Sequence, residues 1–434
     1  MIKLKHLFSV LSLFGISICT GQPQAGMDRF VDSLLARMTL EEKIGQLNLP
    51  GAGDIITGQG ESDISPRRFE RGEIGGLLNL RGVERVRNLQ RVSVEKSRLG
   101  IPLLIGVDVI HGYETVFPIP LALSCTWDIP AIEKTARIAA TEASADGVNW
   151  TLSPMVDICR DARWGRVAEG SGEDPWLGAE IARAMVRGYQ GDLTRNDEIL
   201  ACVKPFALYG AAEAGRDYNS VDMSRQRMFN EYMLPYQAAV EEGVGSVMAS
   251  FNDVEGVPAT GNRWLMTELL RDQWKFDGFV VTDIPEMTAH GIGDLQSVTE
   301  QALQAGIDMD MISDLFVKYL KNSVESGRVK PEEIDRACRR ILEAKYKLGL
   351  FADPYKFCDT ERPARQIFTP EHRAFARRIA AESFVLLKNE KQTLPLAKQG
   401  RIAVIGPLGN ENYRDWYTGV SSYAVPILEG LRQQ

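Results

Sequence analysis

Charged side chains stand where several short apolar runs stop. Asp283 closes Phe279-Val-Val-Thr-Asp283, and Asp108 closes Pro102-Leu-Leu-Ile-Gly-Val-Asp108. Lys204 interrupts a third run over residues 201–206. Asp157 ends a fourth that begins at Asn149, with Arg160 and Arg163 close behind. One charge at a strand end is ordinary. Several, on different strands of a barrel, converge on one pocket, because reactive groups of a barrel enzyme sit at the C-terminal ends of its strands. Composition and spacing alone reach a barrel with a polar, carboxylate-lined mouth, and one chemistry such a mouth would suit is glycoside cleavage. That reaction needs one carboxylate as nucleophile and a second carboxyl as acid then base, about 5 Å apart in a retaining enzyme. Carboxylates and cations also suit a polyhydroxyl ligand, whose hydroxyls donate and accept short, charge-assisted hydrogen bonds. Carboxylate chemistry needs no metal and no organic cofactor, and neither is expected.

The elements that must position these groups follow a rhythm. Apolar runs at residues 75–80, 102–108, 121–127, 149–157, 201–206, 246–252, 278–283 and 307–311 read as strands. Amphipathic stretches at 129–146, 177–189, 226–242, 264–275 and 295–305 read as helices between them. Strands alternating with helices imply βαβ units and a parallel sheet. About eight units predict an α/β fold of the (β/α)8 barrel type. A doubly wound open sheet is the alternative, but no G-x-G-x-x-G follows an early strand. Thr39-Leu-Glu-Glu42 predicts a capping box at a helix start, and Pro331 a first helical position. A further helix is expected from Pro370 to about Leu386, and Arg401-Ile-Ala-Val-Ile-Gly-Pro407 reads as a buried strand of a new α/β domain. The expected organisation is a signal peptide over 1–21, the barrel over 27–350, a linker over 351–370, and an incomplete α/β sandwich domain over 371–434.

Composition narrows the classes. Of 434 residues, 44% are hydrophobic and 25% charged, as in a soluble globular protein. The net charge of −8 argues against sequence-independent binding to nucleic acid, which relies on clustered Lys and Arg. The four histidines, His6, His111, His290 and His372, have no metal-site spacing. Lys3 and Lys5 followed by an apolar run over 7–18 predict export to the periplasm, with a lipid anchor at Cys19 the weaker alternative because Ile18 precedes it. No later run is long enough for a transmembrane helix. Cys125, Cys159, Cys202, Cys338 and Cys358 are odd in number and form no CxxC pair, so no disulfide framework is indicated; Cys125, Cys159 and Cys202 read as small buried hydrophobes.

The same stretches are familiar. Ile105-Gly-Val-Asp-Val-Ile-His-Gly112, Ala162-Arg-Trp-Gly-Arg166, Gly170-Ser-Gly-Glu-Asp-Pro175, Gly278-Phe-Val-Val-Thr-Asp283 and Ser383-Phe-Val-Leu-Leu-Lys-Asn389 give the chain a resemblance to glycoside hydrolase family 3, in particular its periplasmic bacterial β-glucosidases. The resemblance implies that Asp283 is the nucleophile, and that Asp108, Arg163 and Lys204 bind sugar hydroxyls. It places Phe251 where many members carry Tyr, keeping an apolar wall without a hydroxyl. Arg166 is expected to be structural, His111 a structural histidine at the pocket edge, and Trp164 either core or sugar platform. The family's acid/base is a Glu of the second domain, and no residue here is assigned that role. Pro205 stands where members have His, and Asp283-Ile-Pro-Glu-Met287 is shorter than usual; Glu286 is a weak substitute for the acid. The implied activity is that of a retaining exo-acting β-glucosidase releasing terminal glucose from β-linked oligosaccharides. The alternatives are a truncated or degenerate member that binds sugar without turnover, or a β-xylosidase of the same family.

Overall fold

The computed structural model describes residues 21–52, 64–283, 294–412, 417 and 424–434. The export signal with Cys19, the shortened loop after Asp283 and Glu286 lie outside the described residues.

Eight parallel strands form a closed ring: β1 Asn48–Leu49, β2 Gly76–Leu78, β3 Leu104–Val107, β4 Trp150–Thr151, β5 Cys202–Phe206, β6 Ser246–Ala249, β7 Phe279–Val281 and β8 Asp310–Met311. Ladders join β2 to β3 to β4, β5 to β6 to β7, and β8 back to β1. Parallel bridges complete the circle at Gly51–Leu78, Trp150–Leu200, Met155–Lys204 and Val281–Met309. All eight strands therefore point their C-terminal ends at one face. A short antiparallel hairpin, Asp253–Val254 with Val257–Pro258, follows β6 outside the ring.

The ring is filled, not hollow. Trp150 is fully buried, packs edge-on against Phe279 with ring centroids 5.1 Å apart, and donates its indole N–H to Ser246 Oγ at 2.8 Å. Gly106 makes room for it: a Cβ there would lie 2.8 Å from the Trp150 ring. Helices with one apolar face surround the ring, among them Ile129–Ala145, Pro175–Gln190, Trp264–Gln273, Leu295–Ala305 and Pro331–Lys347. The Thr39–Glu42 capping box forms reciprocally at the start of the helix Leu40–Gln46, and Pro331 opens its helix.

Three expectations need correction. Residues 121–127 are no strand; Pro120, preset for the first turn, starts a helix Pro120–Ser124, and Cys125 just beyond it is exposed rather than buried. The ring's remaining strand is β1, two residues long and too short to leave a period in the sequence. Residues 401–407 form no strand either. No described strand lies beside them to share a ladder, and Ile402 and Ile405 are exposed. The helix Pro370–Glu382 does form and packs on the barrel, with Phe375 edge-on to Phe117 at 6.0 Å.

Candidate active site

The C-terminal face of the ring carries a buried ion pair. Asp108 follows β3 directly and Lys204 lies within β5, so the lysine reaches past β4 to place Nζ 2.5 Å from Asp108 Oδ1. Both side chains are buried. Burial works against the ammonium, but the Asp108 charge outweighs it and holds Lys204 above the ordinary lysine value. The strand is irregular between Val203 and Phe206, and Pro205, which has no N–H for a ladder, sits at that point. Its carbonyl accepts from the Tyr236 hydroxyl at 2.8 Å.

A second pair stands beside the first. Arg166 donates to both oxygens of Glu169 at 2.7 and 2.9 Å, and 3.4 Å from the Tyr417 hydroxyl. Burial opposes the guanidinium charge, yet Glu169, Tyr417 and the carboxylate of Asp283 raise Arg166 well above its usual value. Burial likewise opposes ionisation of Glu169; the Arg166 hydrogen bonds and charge, then Lys204, hold it below the usual range. Lys204 also stacks 5.4 Å from the centre of the Tyr417 ring. Asp283, two residues past β7 and partly buried, shares this electrostatic neighbourhood through Arg166.

The surrounding walls are fixed by packing. Phe251, after β6, touches Tyr209 and Tyr218 at ring distances of 5.6 and 5.1 Å. Trp164, left open between core and platform, is buried: it packs edge-on to Tyr209 and donates to Asp217 at 2.9 Å. His111 is buried, and its carbonyl accepts the Phe117 N–H at 2.8 Å. The loop behind Asp108 is braced by the buried Glu142 carboxylate. It accepts from the N–H groups of Glu114, Thr115 and Phe368 and from the Thr115 hydroxyl, and it lies 2.7 Å from His372 Nδ1.

The structure thus groups Asp108, Lys204 and Asp283, with Phe251 on the aromatic wall. It does not bring Arg163 to them. That side chain is 74% exposed and forks onto Asp161 at 2.9 and 2.6 Å. Arg166 occupies the inward, partly buried position instead, so the two arginines of the motif exchange the places expected of them. Glu169, three residues after Arg166, was the available signal: it gives Arg166 an inward partner, whereas Arg163 has Asp161 two residues before it. Tyr417 lies far along the chain and left no signal.

Residues 39–344 match the glycosyl hydrolase family 3 N terminal domain, and residues 384–434 match the family's C-terminal domain. A periplasmic beta-glucosidase of Salmonella typhimurium is 41% identical over 97% of this chain and 56% of its own length. A beta-xylosidase of Formosa agariphila is 36% identical over 81% of this chain and 53% of its own. The structure of a beta-glucosidase from Listeria innocua in complex with isofagomine superposes with a TM-score of 0.89 at 39% identity, covering 93% of this chain and 58% of that one. The chain therefore spans little more than half the length of these relatives. With the N-terminal family model matching over most of its length and the barrel mouth assembled as described, the chain belongs to glycosyl hydrolase family 3.

Proposed function

We propose that this chain carries the barrel half of a retaining β-glucosidase acting on β-linked glucosides. The observation that carries the reading is the meeting, at one barrel face, of Asp283 with the partly buried Arg166–Glu169 pair and the buried Lys204–Asp108 pair. Asp283 attacks the anomeric carbon, and the leaving glycosyl oxygen departs with a proton from a separate acid. Asp108 accepts from sugar hydroxyls while Lys204 and Arg166 donate to them, all held rigid by their mutual pairing. Phe251 supplies an apolar wall for the ring's C–H face. Neither Lys204 nor Arg166 has to lose a proton in this scheme, consistent with their raised values.

A second reading, sugar binding without turnover, is favoured by one observation. Of the described carboxyls beside the site, Glu169 is kept ionised by Arg166 and Asp108 is pinned to Lys204, so neither suits the acid role. An activated aryl β-glucoside separates the readings, because its leaving group needs little acid help. The first predicts a burst of aryl alcohol from the chain that Asp283→Ala abolishes; equal release by both proteins would overturn it. A parallel aryl β-xyloside series, prompted by the xylosidase among the relatives, should give the smaller burst.

The positive start and apolar run of residues 1–21, together with the periplasmic relative, support export to the periplasm. No described helix is long and apolar enough to cross a membrane.

A further inference from the structure

Four arginines gather at the opposite end of the barrel from Asp283. A cavity of about 280 Å³ is lined by Arg263, Arg271, Arg336 and Arg340, with Asp308 and Glu333 among its acidic neighbours. It lies between the helices Trp264–Gln273 and Pro331–Lys347 and the turn at Gly306–Asp308 that leads into β8. That turn enters the strand at its N-terminal end, so the cavity is on the face away from the sugar site. Its volume is near the lower edge of small-ligand pockets, about 300–1,000 Å³.

The charges in it do not cancel. Asp308 is the one carboxylate between two guanidiniums: Oδ2 accepts from Arg271 at 2.5 Å and Oδ1 from Arg340 at 2.7 Å. The Val280 N–H takes up Oδ2 as well. Glu333 caps the Lys330 N–H and stands 4.0 Å from Arg336. Asp272, also on the lining, leaves four cations against three anions. Arg271 is 9% exposed, and its Nε, fully buried, has no hydrogen-bond partner among the described residues, while its other two nitrogens go to the Gly278 carbonyl and Asp308. Burial lowers Arg271 to about 10, in keeping with charge that Asp308 only partly balances.

We infer that this cavity is a binding site for a small, multiply charged oxyanion of the phosphate type, seated against the guanidiniums of Arg340 and of the more exposed Arg336 and Arg263. Planar guanidiniums match tetrahedral oxyanions with paired hydrogen bonds, and several of them favour a dianion over a carboxylate. Because the site lies against the turn into β8, an occupied cavity stabilises the closure of the ring.

Inorganic phosphate is the probe. The full chain is titrated by calorimetry and melted in phosphate and in chloride at equal ionic strength, with acetate as the monoanion control. Phosphate should raise the melting temperature in a saturable way and bind at least about tenfold tighter than acetate. Arg336→Ala, at an exposed position, should weaken phosphate about tenfold without harming the fold. Equal melting in phosphate and chloride overturns the inference. So does a phosphate response that survives Arg336→Ala undiminished.

Discussion

At the scale of single residues, the two arginines of Ala162-Arg-Trp-Gly-Arg166 show what spacing alone leaves undecided. Both precede or follow a tryptophan by one or two positions, and both have a carboxylate nearby in sequence. The fold separates them: Arg166 turns inward onto Glu169, and Arg163 lies in solvent on Asp161. Glucose binding measured by calorimetry should therefore respond to one and not the other. Arg166→Met removes a charge-assisted donor and should weaken glucose by about 10-fold or more, whereas Arg163→Ala should change it by less than about twofold. Equal losses in the two variants would return Arg163 to the site. Asp283, Asp108 and Lys204 were legible because each marks a strand end or strand interior where charge is unusual. Arg166 was not, because its burial depends on a loop conformation. Tyr417 was not, because it is contributed from more than two hundred residues away.

At the scale of elements, two buried ionisable groups tie stability to pH in opposite senses. Asp157, in the segment after β4, is pushed up to about 7 by burial, against the hydrogen bonds from Gly210 N–H and Tyr236. Its folded value exceeds the unfolded one of about 3.9, so its contribution is fully present below about pH 4 and is lost as pH rises through 7. Lys345, on the helix Pro331–Lys347, is lowered to about 7 by burial, with Gln46 Oε1 as its acceptor at 2.5 Å. Its penalty is fully present below pH 7 and is relieved as pH rises toward about 10.4, where the unfolded lysine also loses its proton. Together they predict a minimum in their joint contribution near neutrality, with stability falling toward it from the acid side and rising from it on the alkaline side. Urea unfolding across pH checks this: Asp157→Asn should flatten the acid limb and Lys345→Met the alkaline one. Neither effect could be read from the sequence: Asp157 was legible only as a charge at a strand end, and a Lys in an amphipathic helix such as Lys345 looks solvated until packing closes over it. The strands were more legible. Seven of the eight announce themselves as apolar runs, and the misreading at 121–127 came from treating hydrophobicity as strand where Pro120 dictates a helical turn.

At the scale of the whole molecule, the barrel buries most of its large apolar residues, Trp127 and Trp176 aside, and the segment after it buries few. Phe384, Leu387 and Ile405 are 84%, 91% and 91% exposed. The preceding helix, by contrast, buries Phe375 and Ile379. A contiguous set of exposed apolar side chains promotes association. A chain ending at residue 383 keeps the docked helix and should bind less of an environment-sensitive hydrophobic dye and scatter less light than the full chain. Unchanged dye binding would mean that residues 384–434 cover one another in solution.

The circle of strands is fastened at one place by residues far apart in the chain. β1 and β8 meet over only two pairs, Asn48 with Asp310 and Leu49 with Met311, although some 260 positions separate them. Every other junction links consecutive strands and can form as the polypeptide is laid down in order. This clasp alone must wait until the last turn of the toroid is complete. Its place between the two ends of the ring makes it the natural parting line, where the cylinder would first spring open and where whatever grips the turn into β8 governs how long it stays shut.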